Sequence, residues 1–281
     1  MRLLLAQTSL GFLTLAASCA EPSDLLVSPV MVPCEMQDEA APPATLRLVT
    51  YNIRSAQSSS LDDIAEVLDT LDADVIALQE VDHFTDRSEG LDQAEALAER
   101  LGMHSAFAAS RSEGVGDYGV ALLSRHPFSE VERLPLEEGE APFEPRVALR
   151  GELCVEGLPL TVISVHADVY PWAAAQQVQG LAHNLKNRTA AAGRGPPILV
   201  AGDLNAEAHE AGPRALSALG LIDLGATAEE ASTFGARRID YVFASLELAE
   251  QVIEVDVPEI NASDHRPVVV KLRWKGSPMD T

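Results

Sequence analysis

The sequence predicts two packed β-sheets with helices on their outer faces, and three observations support this. Short apolar, β-rich runs alternate with amphipathic stretches of helical period along most of the 281 residues, a βα pattern. Hairpin signals interrupt that alternation, so the sheets are expected to be mixed. Polar residues also recur at the ends of the apolar runs. Asn52 closes the run 46–51, Glu80 closes 74–79, His166 closes 160–165, and Asp203 and Asn205 follow the run 198–202. Asp240 instead opens 241–244, and Asp264-His265 stands before 268–272. Strand ends and strand starts share an edge only if the last strands run antiparallel to the others. Under that condition every one of these polar groups meets on one rim, where ligand sites commonly lie.

The elements follow in order. Residues 1–19 carry one Arg, an apolar stretch from Leu3 to Ala17, then Ser18-Cys19 before Ala20. This is the pattern of a secretory signal, too short and wrongly flanked for a stable transmembrane helix. Leu15-Ala16-Ala17-Ser18-Cys19 also resembles a bacterial lipobox, in which Cys19 becomes the lipidated first residue. Cleavage after Ala20, with Cys19 discarded, is the second reading. Both make the protein exported: an outer-membrane lipoprotein in the first case, with Ala20 after the Cys resembling the sorting signal, and a secreted or periplasmic protein in the second. Residues 20–44, rich in Pro and acids, are expected to form a flexible tether, and the catalytic domain is placed at 45–275. Cys34 lies in that tether. Strand alternation puts Cys154 on a polar face with Glu152 and Glu156. An exported compartment permits a disulfide between them, but a bridge needs close Cα atoms, so a bonded pair and two separate thiols are both open.

Within the domain, Ser60 can N-cap a helix beginning at Leu61. Leu91, Ala94, Leu97, Ala98 and Leu101 make a second apolar stripe that Gly102 terminates. A hairpin is expected to turn at Glu156-Gly157. Pro171 suits the first turn of a helix reaching about Asn187, and a short helix is expected over 210–219.

Hydrophobic content of 47% excludes a disordered chain. The net charge of −23 repels anionic polymers and anionic lipid faces. With no basic stripe interleaved with aromatics, nucleic acid is a disfavoured though open partner. A monomer is expected, touching membrane only through a lipid on Cys19.

Glu80, Asp203, Asp264 and the amide oxygens of Asn52 and Asn205 are hard ligands of the kind Mg²⁺ or Mn²⁺ prefers; zinc would ask for more His or Cys. His265 titrates near neutrality and suits a general base, with Asp240 able to fix its tautomer. His166 and Asn205 are candidate donors to phosphoryl oxygens.

Thr50-Tyr51-Asn52-Ile53, Leu78-Gln79-Glu80-Val81, Tyr118-Gly119 with Leu122-Leu123-Ser124-Arg125-His126-Pro127, Gly202-Asp203-Leu204-Asn205, Arg238-Ile239-Asp240-Tyr241 and Ser263-Asp264-His265-Arg266-Pro267 occur in this order. The ordered set resembles the endonuclease/exonuclease/phosphatase superfamily over about Thr45 to Trp274. That resemblance implies a four-layered α/β sandwich and a divalent-metal phosphoesterase. It also implies roles: Glu80 with Asn52 and Asp264 at the metal, and Asp240 with His265 as an acid–imidazole pair. Asp203 would position water, Asn205 and His166 would hold the scissile phosphate, and Arg146 would lie near the substrate cleft. The expected activity is phosphodiester hydrolysis, on nucleic acid or a phospholipid head group. A phosphomonoesterase of the same fold is the alternative. His166 stands in Ser164-Val165-His166-Ala167-Asp168, off the family pattern, which keeps a non-catalytic surface-binding lipoprotein as a further alternative.

Overall fold

The structure, a computed structural model, describes residues 23–35, 44–136, 144–192, 195–228 and 232–274. The leader and Cys19 lie outside the described residues. Among these, one seven-stranded sheet has the order β1–β4–β5–β3–β2–β13–β12. Its strands are β1 (Leu26–Val27), β2 (Ala44–Asn52), β3 (Val75–His83), β4 (His104–Glu113), β5 (Gly116–Ser124), β12 (Val252–Asp256) and β13 (Val268–Trp274). The six-stranded sheet has the order β10–β11–β9–β8–β7–β6. It contains β6 (Phe128–Pro135), β7 (Val147–Val155), β8 (Leu158–His166), β9 (Ile198–Asp203), β10 (Ile222–Asp223) and β11 (Asp240–Ala244). The helices are α1 (Leu61–Leu71), α2 (Gln93–Leu101), α3 (Pro171–Ala192), α4 (Ala211–Ala218) and the single turn α5 (Leu246–Ala249).

Strand alternation sorts the apolar side chains into three cores. Leu46, Leu48, Leu122, Leu149, Val162 and Leu199 fill the space between the sheets. Val49, Ile76 and Leu123 point the other way, onto Ile64 and Leu68 of α1 and Leu97 of α2. On the far side Ile163, Val200 and Phe243 receive Val178 and Leu181 of α3 and Leu216 of α4. The result is helix, sheet, sheet, helix, the four-layered sandwich that the family resemblance implied. Helix ends follow local chemistry. Ser60 accepts the Asp63 N–H while Asp63 accepts the Ser60 N–H, a capping box. Gly102 closes α2 at a left-handed φ of 65°, which glycine adopts without steric cost. α3 runs to Ala192, beyond the expected end near Asn187.

The topology meets the condition for a common rim. β2 runs parallel to β3, and β8 parallel to β9. β13 is antiparallel to β2, and β11 antiparallel to β9. Gly202 is essential to this junction. Its φ is 146°, and a Cβ there would lie 1.9 Å from the Val165 carbonyl oxygen. Gly202→Ala is therefore expected to destabilise the protein by about 2 to 3 kcal/mol through strain and overpacking. A lower urea midpoint at unchanged m-value would record this; an unshifted midpoint would refute the reading.

Two readings meet the structure here, and the first needs correction. The tether does not begin the described chain as free linker, because residues 23–35 are docked on the domain. β1 pairs antiparallel with β4, and the Arg133 guanidinium donates to the Ser23 carbonyl at 2.6 Å. It also meets Asp24 at 3.1 Å, and the Val32 N–H donates to the Phe128 carbonyl at 2.8 Å. Proline-rich composition hid an edge strand only two residues long. Secondly, of the two readings left open for the thiols, the bonded one holds: Cys34 and Cys154 form a disulfide, their Cα atoms 5.2 Å apart.

Candidate active site

Asn52, the last residue of β2, is fully buried. Its Nδ2 donates to Glu80 Oε1 at 3.0 Å and to Asp203 Oδ2 at 3.1 Å, bridging the two sheets. Its Oδ1 accepts the Arg54 N–H at 3.1 Å, so this side chain orients carboxylates instead of presenting its oxygen to them. Glu80 does not end its strand, as the sequence suggested. β3 continues to His83 across a bulge between Gln79 and Val81, and Glu80 sits on that bulge with φ 56°. A bulge re-aims one side chain, here toward Asn52.

The bulge is held from behind by residues the sequence reading missed. Ser55 Oγ donates to the Glu80 carbonyl and faces Asp82 Oδ1, each at 3.1 Å. The buried Asp82 receives both Arg87 Nε and Nη2 at 2.7 Å, the bidentate geometry that makes such pairs strong. Gln93 Oε1 accepts the Asp82 N–H at 2.9 Å, and Gln93 Nε2 donates to the Ser55 carbonyl at 3.0 Å. A second buried polar group joins the sheets: Gln79 Nε2 donates to Ser164 Oγ at 3.2 Å, and Ser164 Oγ to the Leu78 carbonyl at 3.1 Å.

On the other sheet, Asp203 and Asp240 are register partners on β9 and β11. His265 Nδ1 lies 2.9 Å from Asp240 Oδ2, and its Nε2 lies 3.7 Å from Asp203 Oδ2. Thr233 Oγ1 accepts the Asp240 N–H at 3.1 Å, and the Phe234 ring lies tilted against His265, centroids 4.7 Å apart. Neither residue carries a sequence signal, since both sit in an irregular loop. His166 receives Arg146 Nη1 at 3.0 Å from its Nδ1, lies 3.7 Å from Asp203 Oδ2 and 3.4 Å from Asn205 Nδ2. Asn205 donates its own N–H to Asp203 Oδ1 at 2.8 Å. Asp264 stands apart from this chain, half exposed, with Oδ2 3.4 Å from Arg54 Nη1. Eight of the nine expected residues thus form one contact network, and Asp264 joins it through Arg54. His83, at the end of β3, stacks on Phe107.

Charge is distributed unevenly over these groups. Burial, then the neighbouring Asp240, pushes the Asp203 carboxyl up to about 7. Burial alone would depress His265, but the Asp240 charge and hydrogen bond, with Asp203 and Asp264, outweigh it and raise the imidazole to about 9. His166 is held well below its ordinary value by burial and by the adjacent Arg146; it stays neutral and accepts. These directions favour a charged His265 and bring Asp203 to where it can exchange a proton near neutrality.

The residues fit a divalent cation. Asp203, Asp240 and His265 offer ligand atoms within 4.8 Å of one another, and Asp240 Oδ1 is buried without a hydrogen-bond partner among the described residues. The donors around Asn52 are carboxylate oxygens, the chemistry that hard cations select. Glu80, held by Asn52 beside Asp203, adds a further carboxylate next to this group.

A four-layered sandwich with such a rim defines a hydrolytic phosphoesterase. Residues 49–265 match the Endonuclease/Exonuclease/phosphatase family, and the chain belongs to it; that family is one of divalent-metal-dependent enzymes. No curated protein matches the sequence. Among solved structures, a family protein from Leptotrichia buccalis is similar at 22% identity and TM-score 0.67, over 82% of this chain and 100% of that one. One from Beutenbergia cavernae is 25% identical with TM-score 0.70, over 84% and 73%. The human nocturnin catalytic domain, solved with a bound sulfate anion, is 23% identical with TM-score 0.65, over 88% and 96%.

Proposed function

We propose that the protein is an exported phosphodiesterase that depends on Mg²⁺ or Mn²⁺. The observation that carries the reading is the unit formed by Asp203, Asp240 and His265, tied by Asn52 to the Glu80 carboxylate. Glu80 and Asp264 would hold the cation, which supplies electrostatic stabilisation of charge on the phosphoryl oxygens when bound. Asn52 fixes the Glu80 carboxylate. Asp203 takes the proton of the attacking water, and its contact with the Asn205 N–H keeps one oxygen oriented. His265, held as imidazolium by Asp240, donates to the phosphoryl group. Asn205 and the buried Arg146 guanidinium would meet the remaining oxygens; Asn205 Nδ2 also holds the Ala167 carbonyl at 3.0 Å and Arg146 Nη2 pairs with Glu144 at 2.9 Å, while Arg146 Nε is unpartnered among the described residues. Export is supported by the leader pattern and by the disulfide, a bond favoured in oxidising compartments.

The test is a panel of plasmid DNA, RNA, sphingomyelin, an aryl phosphodiester and an aryl phosphomonoester, each with and without chelator. Turnover of diesters that chelator abolishes and added Mg²⁺ or Mn²⁺ restores is the expected result. Turnover of the monoester alone, or activity that survives chelator, would overturn the proposal. For location, Cys19→Ser is expected to move the protein from the membrane pellet to the soluble envelope fraction. Unchanged fractionation, with a mature chain beginning at Glu21, would exclude the anchor.

A further inference from the structure

The described chain starts beside the active site. β1 is antiparallel to β4, and β4 ends at the catalytic edge, because its partner β5 starts opposite the end of β3. Ser23 therefore sits at that edge, its N–H 3.4 Å from the Ser110 carbonyl. Ser110 lines a small cavity with Tyr118, Arg146 and His166. The other end of the segment is fastened by Cys34 to Cys154 at the opposite edge, near the β7–β8 turn. Residues 23–35 thus run the height of the sandwich, clamped at both ends. Only three residues separate Cys19 from Ser23, a reach of at most about 14 Å.

The same edge carries the exposed aromatic side chains. Phe84, Tyr170, Trp172 and Phe234 are all exposed. Phe84 follows β3 directly, Tyr170 and Trp172 lie just beyond His166, and Phe234 packs at a tilt against His265. Val115, 79% exposed, tips the β4–β5 hairpin beside Phe84, where a Cβ on Gly116 would meet the Phe84 carbonyl carbon at 2.4 Å. Among the described residues the exposed apolar side chains toward the opposite edge are not aromatic, as at Met31, Val32, Ile222 and Ile253. Aromatic rings favour the bilayer interface, and docking by apolar insertion needs no attraction to anionic lipid, which a charge of −23 would oppose.

We infer that the catalytic edge docks on a zwitterionic phospholipid surface, with the clamped amino-terminal segment facing it, and that the diester hydrolysed is carried by a membrane lipid. The substrate half rests on the phosphodiesterase reading above; the docking half does not. Two measurements on the full chain carrying Cys19→Ser separate them. First, Val115→Cys or Ile253→Cys is labelled with an environment-sensitive dye and mixed with phosphatidylcholine vesicles containing a nitroxide lipid. Quenching and a blue shift at position 115, and neither at 253, are expected. An equal response at both positions, a stronger one at 253, or none at 115 would overturn docking.

Secondly, Phe84→Ser with Val115→Ser is compared with unsubstituted protein on vesicle-borne sphingomyelin and on a soluble aryl phosphodiester. At least a tenfold loss on vesicles, with soluble turnover within twofold, is expected. Parallel loss on both substrates, or no loss on either, would refute the lipid substrate. Failure to hydrolyse any diester would refute the phosphodiesterase reading while leaving the dye result to decide docking.

Discussion

Asp203→Asn is expected to cut turnover of an aryl phosphodiester at least ~10²-fold, because it removes the carboxylate proposed to accept the proton of the attacking water. His265→Ala should cost as much by removing the charged donor. The double variant should lose far less than the product of the two, because residues that act as a unit are not additive. A stability measurement separates this from misfolding. Asp203 carries a folded-state pKa of about 7 against an ordinary 3.8, raised by burial and by Asp240. A raised carboxyl binds its proton more tightly in the folded state, so stability falls as pH rises between those values. In the presence of chelator, the Asn variant should lack that slope and match or exceed the parent in urea midpoint at pH 8. Normal activity in Asp203→Asn would refute its role, and a variant less stable than the parent at pH 8 would refute the charge assignment.

That stability has been given up for chemistry at this site explains why the sequence made it legible. Asn52, His166 and Asp203 interrupt apolar strands at positions where packing alone would favour another hydrophobic residue, and an anomaly of that kind can be read without coordinates. Strand direction could be inferred from the same residues, since Asp240 and His265 precede their runs while the others follow theirs. Residues that act behind the ligands gave no such signal. Asp82 and Gln93 look like ordinary polar positions on a strand and a helix, and only the fold brings them together with Arg87 and Ser55 beneath the Glu80 bulge. The bulge itself is a backbone event between Gln79 and Val81 with no glycine to mark it. Thr233 and Phe234 belong to an irregular loop, where neither period operates. The docked segment 23–35 was hidden for a different reason: its composition is that of a linker, and its attachment depends on partners more than eighty residues away.

Removal of the disulfide is expected to be the most destabilising change outside the site. Cys34 and Cys154 are separated by 120 residues, and closing so long a loop restricts the unfolded chain enough to be worth about 3 to 5 kcal/mol. Without it, β1, the contacts of Arg133 and backbone bonds such as that from Val32 to Phe128 would have to hold the segment, and so short an edge strand contributes little. Cys34→Ser with Cys154→Ser should therefore lower the urea midpoint by that amount while leaving phosphodiester turnover in dilute buffer within about twofold, because the bridge lies at the edge opposite His166 and His265. Reducing agent added to the parent should reproduce the shift, and added to the double variant should do nothing further. A midpoint that barely moves would mean that the β1 and Arg133 contacts suffice. Turnover that collapses with the midpoint unchanged would mean instead that the segment shapes the cleft at Ser110. Under the expected outcome, the bridge keeps the amino terminus fixed at the catalytic edge, so a pull on residue 19 cannot peel the segment past Cys34.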